Sequence, residues 1–510
     1  MTETYVGSID QGTTGTRVLV FDRSGSIVAD AYARHEQFYP EPGWVEHDPV
    51  EIWENTKTVL TRALDEAAIS ADRLEALGIA NQRETTVVWD AETGNPVYNA
   101  IVWQDRRTTE RIEKLHEEGK IELIREKTGL EPDAYFSASK VEWILENADP
   151  IKLQRSRPKD VRDRAEAGEL LMGTIDSWLI YKLTGAHSTD VTNASRTMLY
   201  NIHDLAWDDA LLDEFDVPAT MLPQVRPSSD DTRYGSTDPD GFLNAEIPVT
   251  AALGDQQAAL FGQTCFGKGE TKNTYGTGSF YLMNTGEDAV DSEHGLLTTI
   301  GFQLSGEPVQ YALEGSIFAT GAAIEWLEDV SLIEDPSETE SLARSVDSTD
   351  GVYMVPAFTG LGAPHWDGRA RGTLVGMTRG TRREHIVRAT LESIAYQTRD
   401  IAEAMEADSG IETATLRVDG GAVKNNFLCQ LQADSIQTEI VRPVVDETTA
   451  LGAAYAAGLA VGYWNDLDEL RANWQIDRTF APEIDQRTAD RRYSRWSDAV
   501  ERSRDWAREE

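Results

Sequence analysis

Short apolar runs and helically spaced apolar positions both occur in the first half of the chain. Five segments have the runs of apolar residues, bounded by turn formers, that predict strands, and they lie at residues 5–10, 17–22, 27–31, 77–80 and 85–89. Three segments place apolar residues three and four positions apart, as helices do, and they lie at residues 49–68, 141–147 and 177–183. Strands mixed with helices in this way predict an α/β fold.

The second half follows a stretch with few apolar positions. Residues 218–240 are rich in Pro, Ser and Asp, and we expect a connector or an exposed loop there. The apolar run at residues 247–255 predicts a strand that leads into a helix. The final helix, predicted over residues 488–506, should pack against the second half through apolar side chains on one side, which are Tyr493, Trp496, Val500 and Trp506.

Two distant glycine-threonine turns are flanked by strands in the same way. The segments SIDQGTTGTRVLVFD at residues 8–22 and TKNTYGTGSFYLMNT at residues 271–285 each place a predicted strand before the turn and another after it. The repeat suggests two halves built on a similar hairpin. Chance similarity between two Gly-Thr turns is the alternative on spacing alone.

The chain is strongly acidic. It has 88 Asp and Glu residues against 47 Lys and Arg, a net charge of −41. Such a charge repels nucleic-acid phosphates and anionic membranes, so neither is an expected partner. Because the acids are spread along the whole length, two explanations stay open. One is an ordinary acidic cytosolic protein, and the other is adaptation to molar salt, where a Debye length of about 3 Å screens the repulsion between carboxylates.

The composition otherwise indicates a globular cytoplasmic protein. The 510 residues are 40% hydrophobic and suggest about two to four domains. No run of apolar residues approaches the ~18 needed to span a membrane. The first ten residues lack the basic and apolar regions of a secretory signal. The two cysteines, Cys265 and Cys429, cannot form a disulfide framework or a four-cysteine zinc site.

Three predicted strands end in glycine-containing turns that also carry an aspartate. The three turns are DQGTTGT at residues 10–16, GDQQAA at residues 254–259 and RVDGGA at residues 417–422. Glycines let backbone N–H groups approach an anion, and a carboxylate such as Asp10 suits a hydrated Mg²⁺. Each turn also has a purely structural explanation: a hairpin turn at Asp10, a helix N-cap at Asp255, and a plain strand–helix connection at Gly420.

Taken in order, the three turns resemble the phosphate and adenosine motifs of actin-like ATPases. Further blocks sharpen the match, and they are NQRETT at 81–86, WQDRR at 103–107, YFS at 135–137, NASRTM at 193–198 and PAFTGLGAPHWDGRARG at 356–372. Together with long segments such as YPEPGWVEHDP and RATLESIAYQTRD, they make the chain closely similar to the FGGY carbohydrate kinases. The resemblance runs from about Tyr5 to beyond Trp464.

The resemblance implies a fold, an activity and a set of ligands. The fold is α/β, with two actin-like (ribonuclease H-like) ATPase domains at residues 1–253 and 254–510 and the active site in the cleft between them. The activity is ATP-dependent phosphorylation of glycerol to sn-glycerol 3-phosphate, with ADP as the other product and Mg²⁺ as cofactor. A homo-oligomer, either a dimer or a tetramer, is also implied.

The resemblance also assigns roles to individual residues. Asp255 takes the role of the general base, and Asp10 that of the metal-side carboxylate. The positions that match the family's glycerol contacts are Arg83, Glu84, Trp103, Tyr135, Asp255, Gln256 and Phe280. Those that match its nucleotide contacts are Thr13, Thr14, Arg17, Thr277, Gly321, Glu325, Gly421 and Asn425. Read from the residues alone, Arg83 and Glu84 also suit a solvated surface pair, and Trp103 and Phe280 an ordinary core.

Two departures limit what the resemblance carries over. Glu325 stands where better-known bacterial members have a glutamine near the adenine. Residues 237–246 lack the arginine of the bacterial loop that binds fructose 1,6-bisphosphate and carry three acids instead, so this feedback is not expected. The rival functions are a sibling kinase for another polyol or sugar, such as xylulose, and a non-metabolic actin-like ATPase. The set of acceptor residues argues against both.

Overall fold

The computed structural model describes residues 3–148 and 161–507. The internal contacts divide the chain into two compact units. The first consists of Met1–Thr264, Thr298–Tyr311 and Thr448–Asn473. The second consists of Cys265–Leu297, Ala312–Glu447 and Trp474–Glu510.

Strands β1 to β23 follow one another along the described chain as Tyr5–Gln11, Gly15–Phe21, Ile27–Arg34, Glu46–His47, Leu74–Asn81, Thr86–Asp90, Ala100–Ile101, Leu170–Thr174, Ser188–Asp190, Tyr200–Asn201, Ala206–Trp207, Gln224–Arg226, Gly235–Ser236, Pro248–Gly254, Thr271–Tyr275, Ser279–Gly286, Leu297–Phe302, Gln310–Ile317, Tyr353–Val355, Thr373–Val375, Thr415–Gly420, Glu439–Pro443 and Ile476–Phe480. Helices α1 to α16 are Pro49–Glu66, Thr109–Glu117, Ile121–Thr128, Ser137–Asn147, Val161–Glu166, Ile175–Thr184, Val191–Ala194, Asp209–Glu214, Asp255–Gly262, Gly321–Asp329, Glu338–Arg344, Arg383–Ser409, Asn426–Ile436, Thr448–Ala460, Leu467–Asn473 and Gln486–Ser503. Each predicted strand and helix of the first half matches one of these elements.

The first unit is built on a six-stranded sheet with the strand order β13-β14-β5-β1-β2-β3. Strands β14, β5 and β1 are parallel, whereas β1, β2 and β3 form an antiparallel meander. Apolar side chains of α1, such as Val59 and Leu60, pack with Ile9 and Val18 of the sheet in one buried core. The carboxyl ends of β14 and β5 therefore lie side by side, where α/β folds place ligands.

The second unit contains a sheet in which β16, β15, β21, β22 and β23 are neighbours in that order. Strand β15 pairs antiparallel with β16 and parallel with β21. The long helix α12 and helix α13 cover this sheet, and side chains such as Leu391 and Leu428 share a buried core with Tyr281 and Leu416.

The suspected internal repeat is confirmed by the strand pairing. In the first unit the β1–β2 hairpin pairs parallel with β5, and in the second the β15–β16 hairpin pairs parallel with β21. The same three-strand arrangement thus occurs in both units.

The division of the chain differs from the boundary predicted between residues 253 and 254. Helix α9 packs on α14, and the two backbones approach so closely that a Cβ added at Gly452 would lie 1.8 Å from the carbonyl oxygen of Ala258. Because of this packing, Asp255 and Thr448–Asn473 belong to the first unit, together with the acceptor residues that precede them.

Two sequence predictions were wrong in part. Residues 218–240 are not simply an exposed loop, because they contain β12 and β13 and bury Ser229 and Tyr234 to 3% and 2% exposure. The Ser229 hydroxyl donates to the Ala456 carbonyl, a partner that local composition cannot reveal. Trp506 is 68% exposed because α16 ends at Ser503, although Trp496 and Val500 do pack on the second unit as predicted.

Candidate active site

Arg83 and Glu84 lie in the turn that follows β5 and are buried. Arg83 is 2% exposed and Glu84 is 1% exposed, so they are not a solvated surface pair. Glu84 adopts a φ of 61°, a left-handed conformation that costs a non-glycine residue free energy and is common at functional sites. Its carbonyl oxygen accepts hydrogen bonds from the hydroxyls of Thr86 and Ser137, which hold the turn in place.

Asp255 begins α9, directly after β14 ends at Gly254. Its carboxylate Oδ1 lies 3.2 Å from Nε of Arg83, and its side chain is 31% exposed. The contact requires a glycine before it, because a Cβ at Gly254 would lie 2.7 Å from Cγ and Cδ of Arg83. Asp255 is therefore held by a buried cation and remains accessible to a substrate.

An aromatic corner adjoins these charges. The rings of Trp103 and Tyr135 meet edge to face, with centroids 5.6 Å apart. Tyr135 Oη lies 3.5 Å from Nη2 of Arg83, and the Trp103 indole N–H donates to the Thr13 hydroxyl at 2.9 Å. The corner thus links the acceptor residues to the first hairpin.

The remaining two predicted acceptor residues fall in different units. Gln256 is buried on α9, and its backbone N–H donates to the Asp255 carboxylate at 2.7 Å. Phe280 lies on β16, in the second unit. The structure therefore brings six of the seven together in the first unit, listed as Arg83, Glu84, Trp103, Tyr135, Asp255 and Gln256.

The hairpin between β1 and β2 carries the four predicted phosphate-side residues. Asp10 sits near the end of β1, opposite Arg17 in the strand ladder. Arg17 forms two hydrogen bonds to Asp30, at 2.8 and 2.6 Å. These hydrogen bonds are the main cause of the lowered pKa of the Asp30 carboxyl group. The Thr14 hydroxyl lies 3.3 Å from the Tyr32 hydroxyl.

Sequence reasoning missed a buried polar network that supports this hairpin. The Thr13 carbonyl accepts from the Gln37 amide at 2.9 Å, and the Gly12 carbonyl accepts from the Gln82 amide at 3.2 Å. His47 contacts both glutamines, through Nε2 and Nδ1. Burial, followed by the neighbouring His35, lowers the pKa of His47 to about 3, so the ring stays neutral. His47 falls inside the YPEPGWVEHDP block, which was the available signal.

In the second unit, Thr277 and Gly321 meet where the β15–β16 turn contacts the start of α10. The Thr277 carbonyl accepts from the backbone N–H groups of Thr320 and Ala322, at 2.9 and 3.0 Å. A Cβ at Gly321 would lie 2.6 Å from the Gly276 carbonyl oxygen, so only glycine fits. Glu325 is exposed on the same helix.

Gly421 and Asn425 lie in the turn between β21 and α13. The preceding Gly420 has a φ of 93°, and a Cβ there would lie 2.3 Å from the Tyr275 carbonyl oxygen. Asn425 caps α13, because its Oδ1 accepts from the N–H groups of Phe427 and Leu428 at 2.9 and 3.0 Å. Asn425 therefore has a structural role as a helix cap, which the sequence analysis did not predict.

A buried lysine is a further residue that sequence reasoning missed. Lys140 donates to the carbonyl oxygens of Ala134, Tyr135 and Phe136 at 2.8, 2.5 and 3.0 Å. Burial lowers the pKa of this amine to about 7. The lysine fixes the loop that presents the Tyr135 ring.

Other candidate chemistry is limited within residues 3–148 and 161–507. No cluster of three or more His, Cys, Asp and Glu side chains is arranged to hold a metal ion in that part of the chain. None of the helices described there is long and apolar enough to cross a membrane. Cys265 and Cys429 are both buried as free thiols, and burial raises their pKa values to about 11 and about 12.

Two α/β units that repeat one hairpin arrangement, with Arg83 and Asp255 in contact at adjoining strand ends, define a kinase of the actin-like ATPase fold. Residues 5–262 match the N-terminal domain, and residues 271–461 the C-terminal domain, of the FGGY family of carbohydrate kinases. The chain belongs to this family.

Individual relatives are similar to this protein over its whole length. The glycerol kinases of Haloquadratum walsbyi and Halobacterium salinarum are each 76% identical over 510 residues, covering all of both chains. Both come from halophilic archaea. The crystal structure of Plasmodium falciparum glycerol kinase with ADP is 39% identical, covers 98% of each chain and superposes with a TM-score of 0.92.

Proposed function

We propose that the chain transfers the γ-phosphoryl group of ATP to glycerol, giving sn-glycerol 3-phosphate and ADP. The relatives that match its full length at 76% identity are glycerol kinases, which supports this substrate pair. The observation that carries the proposal is the contact of Asp255 with the buried Arg83 beside Glu84 and Tyr135.

The acceptor residues suit a small triol. Glu84 and Asp255 offer carboxylate oxygens to hydroxyl groups, while Arg83 donates, and such charge-assisted hydrogen bonds are the strong ones. Trp103 and Tyr135 supply an apolar wall for the carbon chain. A site built to bond hydroxyls rejects an analogue that lacks one, since buried polar groups would be left without partners.

We propose that Asp255 acts as the general base. In the reaction, the primary hydroxyl of glycerol attacks the γ-phosphorus in line, ADP leaves, and Asp255 accepts the hydroxyl proton. The hydrogen bond from the Gln256 N–H and the contact with Arg83 hold the carboxylate in one orientation. Catalysis of this kind depends on positioning rather than on a covalent intermediate.

We propose that the hairpin of the first unit contacts the phosphates, through Thr13, Thr14 and Arg17. Phe280 stays a predicted glycerol contact, and the predicted nucleotide contacts of the second unit are Thr277, Gly321, Glu325, Gly421 and Asn425. Asp10 suits Mg²⁺, because this ion prefers one or two carboxylates together with phosphate oxygens, and no multi-carboxylate cluster is required. When bound, the ion neutralises charge on the phosphates. The cytoplasmic location and the homo-oligomer stay predictions.

A coupled assay with glycerol and MgATP across a salt series tests the proposed activity. A panel of glycerol, xylulose and no added acceptor separates the three functions considered. Turnover with glycerol alone supports the proposal. Faster turnover with xylulose, or hydrolysis of ATP that ignores the acceptor, contradicts it.

Replacing Arg83 with alanine is expected to weaken glycerol binding more than ATP binding. The change removes a charged donor from the acceptor side, where such a hydrogen bond contributes about 1.5–3 kcal/mol. We expect the KM for glycerol to rise by about 10-fold or more, and the KM for ATP to change by less than about 3-fold. Steady-state kinetics with each substrate varied in turn provide the measurement.

Arg17→Ala is the matched comparison, because it removes an arginine from the proposed phosphate side. It should raise the KM for ATP more than that for glycerol. Equal losses for both substrates in Arg83→Ala would contradict its placement on the acceptor side.

A further inference from the structure

The charged residues of the acceptor site continue into the protein interior through Arg196. This side chain is completely buried, and its Nε donates to Glu84 Oε1 at 2.7 Å. Arg83 Nε lies 3.9 Å from the same Glu84 oxygen and 3.2 Å from Asp255 Oδ1. The four side chains therefore alternate in charge from the buried Arg196 outward to the partly exposed Asp255.

Arg196 also lies against the aromatic part of the site. The carbon of its guanidinium group lies 5.8 Å from the ring centre of Tyr135 and 5.2 Å from that of Phe136. One buried cation thus contacts both a carboxylate, Glu84, and a ring, Tyr135, of the predicted acceptor site.

The segment that carries Arg196 is fixed to both strand ends that form the site. The side chains of Asn193 and Asn81 exchange two hydrogen bonds, at 2.9 and 3.0 Å, at the end of β5. The Thr192 hydroxyl accepts from the Gly254 N–H at 2.9 Å, at the end of β14. The segment around Arg196 is therefore hydrogen-bonded to the ends of both strands, close to Arg83 and Asp255. These bonds fix the position from which Arg196 contacts Glu84.

We propose that Arg196 is a positioning residue for glycerol, which fixes the carboxylate of Glu84 in the ionised form and orientation that accept a glycerol hydroxyl. The proposal rests on the proposed function. The Arg196 contact with Glu84, at 2.7 Å, is a hydrogen bond, whereas Arg83 Nε lies 3.9 Å from the same oxygen. Loss of the closer cation would let the buried carboxylate turn away or take up a proton, so that it no longer accepts a glycerol hydroxyl. Because Arg196 acts through Glu84, its loss should weaken the binding of glycerol and not that of ATP.

Arg196→Met tests this role in the full-length protein at high salt. We expect the KM for glycerol to rise by at least about 10-fold, because removing one partner of a buried ion pair is strongly unfavourable. The KM for ATP should change by less than about 3-fold. Arg196→Lys, which keeps the positive charge, should recover part of the glycerol affinity.

Non-additivity distinguishes positioning from a general structural effect. Glu84→Gln alone should raise the KM for glycerol, and adding Arg196→Met to it should raise that KM by less than about 2-fold more, since the target of Arg196 is already altered. Multiplying effects in the double variant would overturn the proposal. So would parallel increases in both KM values in Arg196→Met.

Arg164→Met is the matched control for the loss of a buried ion pair. Arg164 is also buried and pairs with Asp90, at the end of β6 opposite to the end near Glu84. The Arg164→Met variant should have a lower melting temperature than the wild type and an unchanged KM for glycerol. If Arg196→Met does not fold, Arg196→Gln replaces it, because glutamine removes the charge and keeps a polar side chain. A wild-type KM for glycerol in Arg196→Gln would overturn the proposal.

The wild-type protein separates this proposal from the proposed function. Absence of glycerol turnover in the wild type refutes the function. Glycerol turnover in the wild type, together with an unchanged KM for glycerol in Arg196→Met, refutes only the proposed role of Arg196 and leaves the proposed function standing.

Discussion

Replacing Asp255 with asparagine is expected to lower kcat for glycerol by about 10²- to 10⁴-fold, the usual contribution of a general base. Asparagine keeps the size of the side chain and an oxygen that can accept from Arg83, which lies 3.2 Å from the carboxylate. It cannot take up the hydroxyl proton as that oxygen attacks phosphorus. Glycerol affinity, measured as a dissociation constant by calorimetry, should therefore stay within about 3-fold while single-turnover kinetics show the loss.

Asp209→Asn provides a control at an equivalent structural position. Asp209 is the first residue of α8, as Asp255 is the first of α9, but it is exposed and is not among the predicted ligand contacts. This variant should keep wild-type kcat. Near wild-type turnover by Asp255→Asn would remove Asp255 from the proton transfer, and a loss confined to glycerol affinity would make it a binding residue only.

Transfer from molar to about 0.1 M salt is expected to abolish activity and lower the melting temperature by about 10 °C or more. The net charge of −41 is spread over the chain, so neighbouring carboxylates repel one another once the screening length grows from about 3 Å to about 10 Å. The halophilic sources of the most similar relatives reported above agree with this expectation. Circular dichroism and the coupled assay, both followed over a potassium chloride series, provide the measurement.

A neutral osmolyte separates screening from a general stabilising effect of the solvent. Sucrose at low ionic strength should fail to restore the melting temperature, whereas salt added back should restore it, because only ions screen charge. Full activity with an unchanged melting temperature at about 0.1 M salt would favour the other explanation, an ordinary acidic protein.

Local sequence patterns were sufficient to predict those strands and helices whose formation depends mainly on their own residues. The predicted strand at residues 5–10 is β1, Tyr5–Gln11, and the predicted helix at residues 49–68 is α1, Pro49–Glu66, which begins beside the N-cap Asp48. Residues 218–240 were misjudged because their polar composition indicates exposure. Ser229 is nevertheless buried, and its hydroxyl donates to the carbonyl of Ala456, 227 residues away along the chain.

The candidate site was only partly accessible from sequence. The strand-end turns at Asp10 and Gly254 mark where ligand-binding side chains belong, because backbone geometry is local. Whether Arg83 and Glu84 form a surface pair or a buried site depends on what covers them. Arg196, which pairs with Glu84, stands 112 residues further along the chain, and no periodicity connects the two.

The sequence by itself determined the α/β class, the two glycine-threonine hairpins and the residue types available for phosphoryl transfer, because hydrophobic period and turn chemistry act over a few neighbouring residues. Only the tertiary structure decided that Asp255 belongs with the first unit and that its carboxylate meets the Arg83 guanidinium. The reason is that parallel strands distant in sequence, β5 and β14, end side by side, and only this pairing brings a buried arginine to a carboxylate 172 residues away.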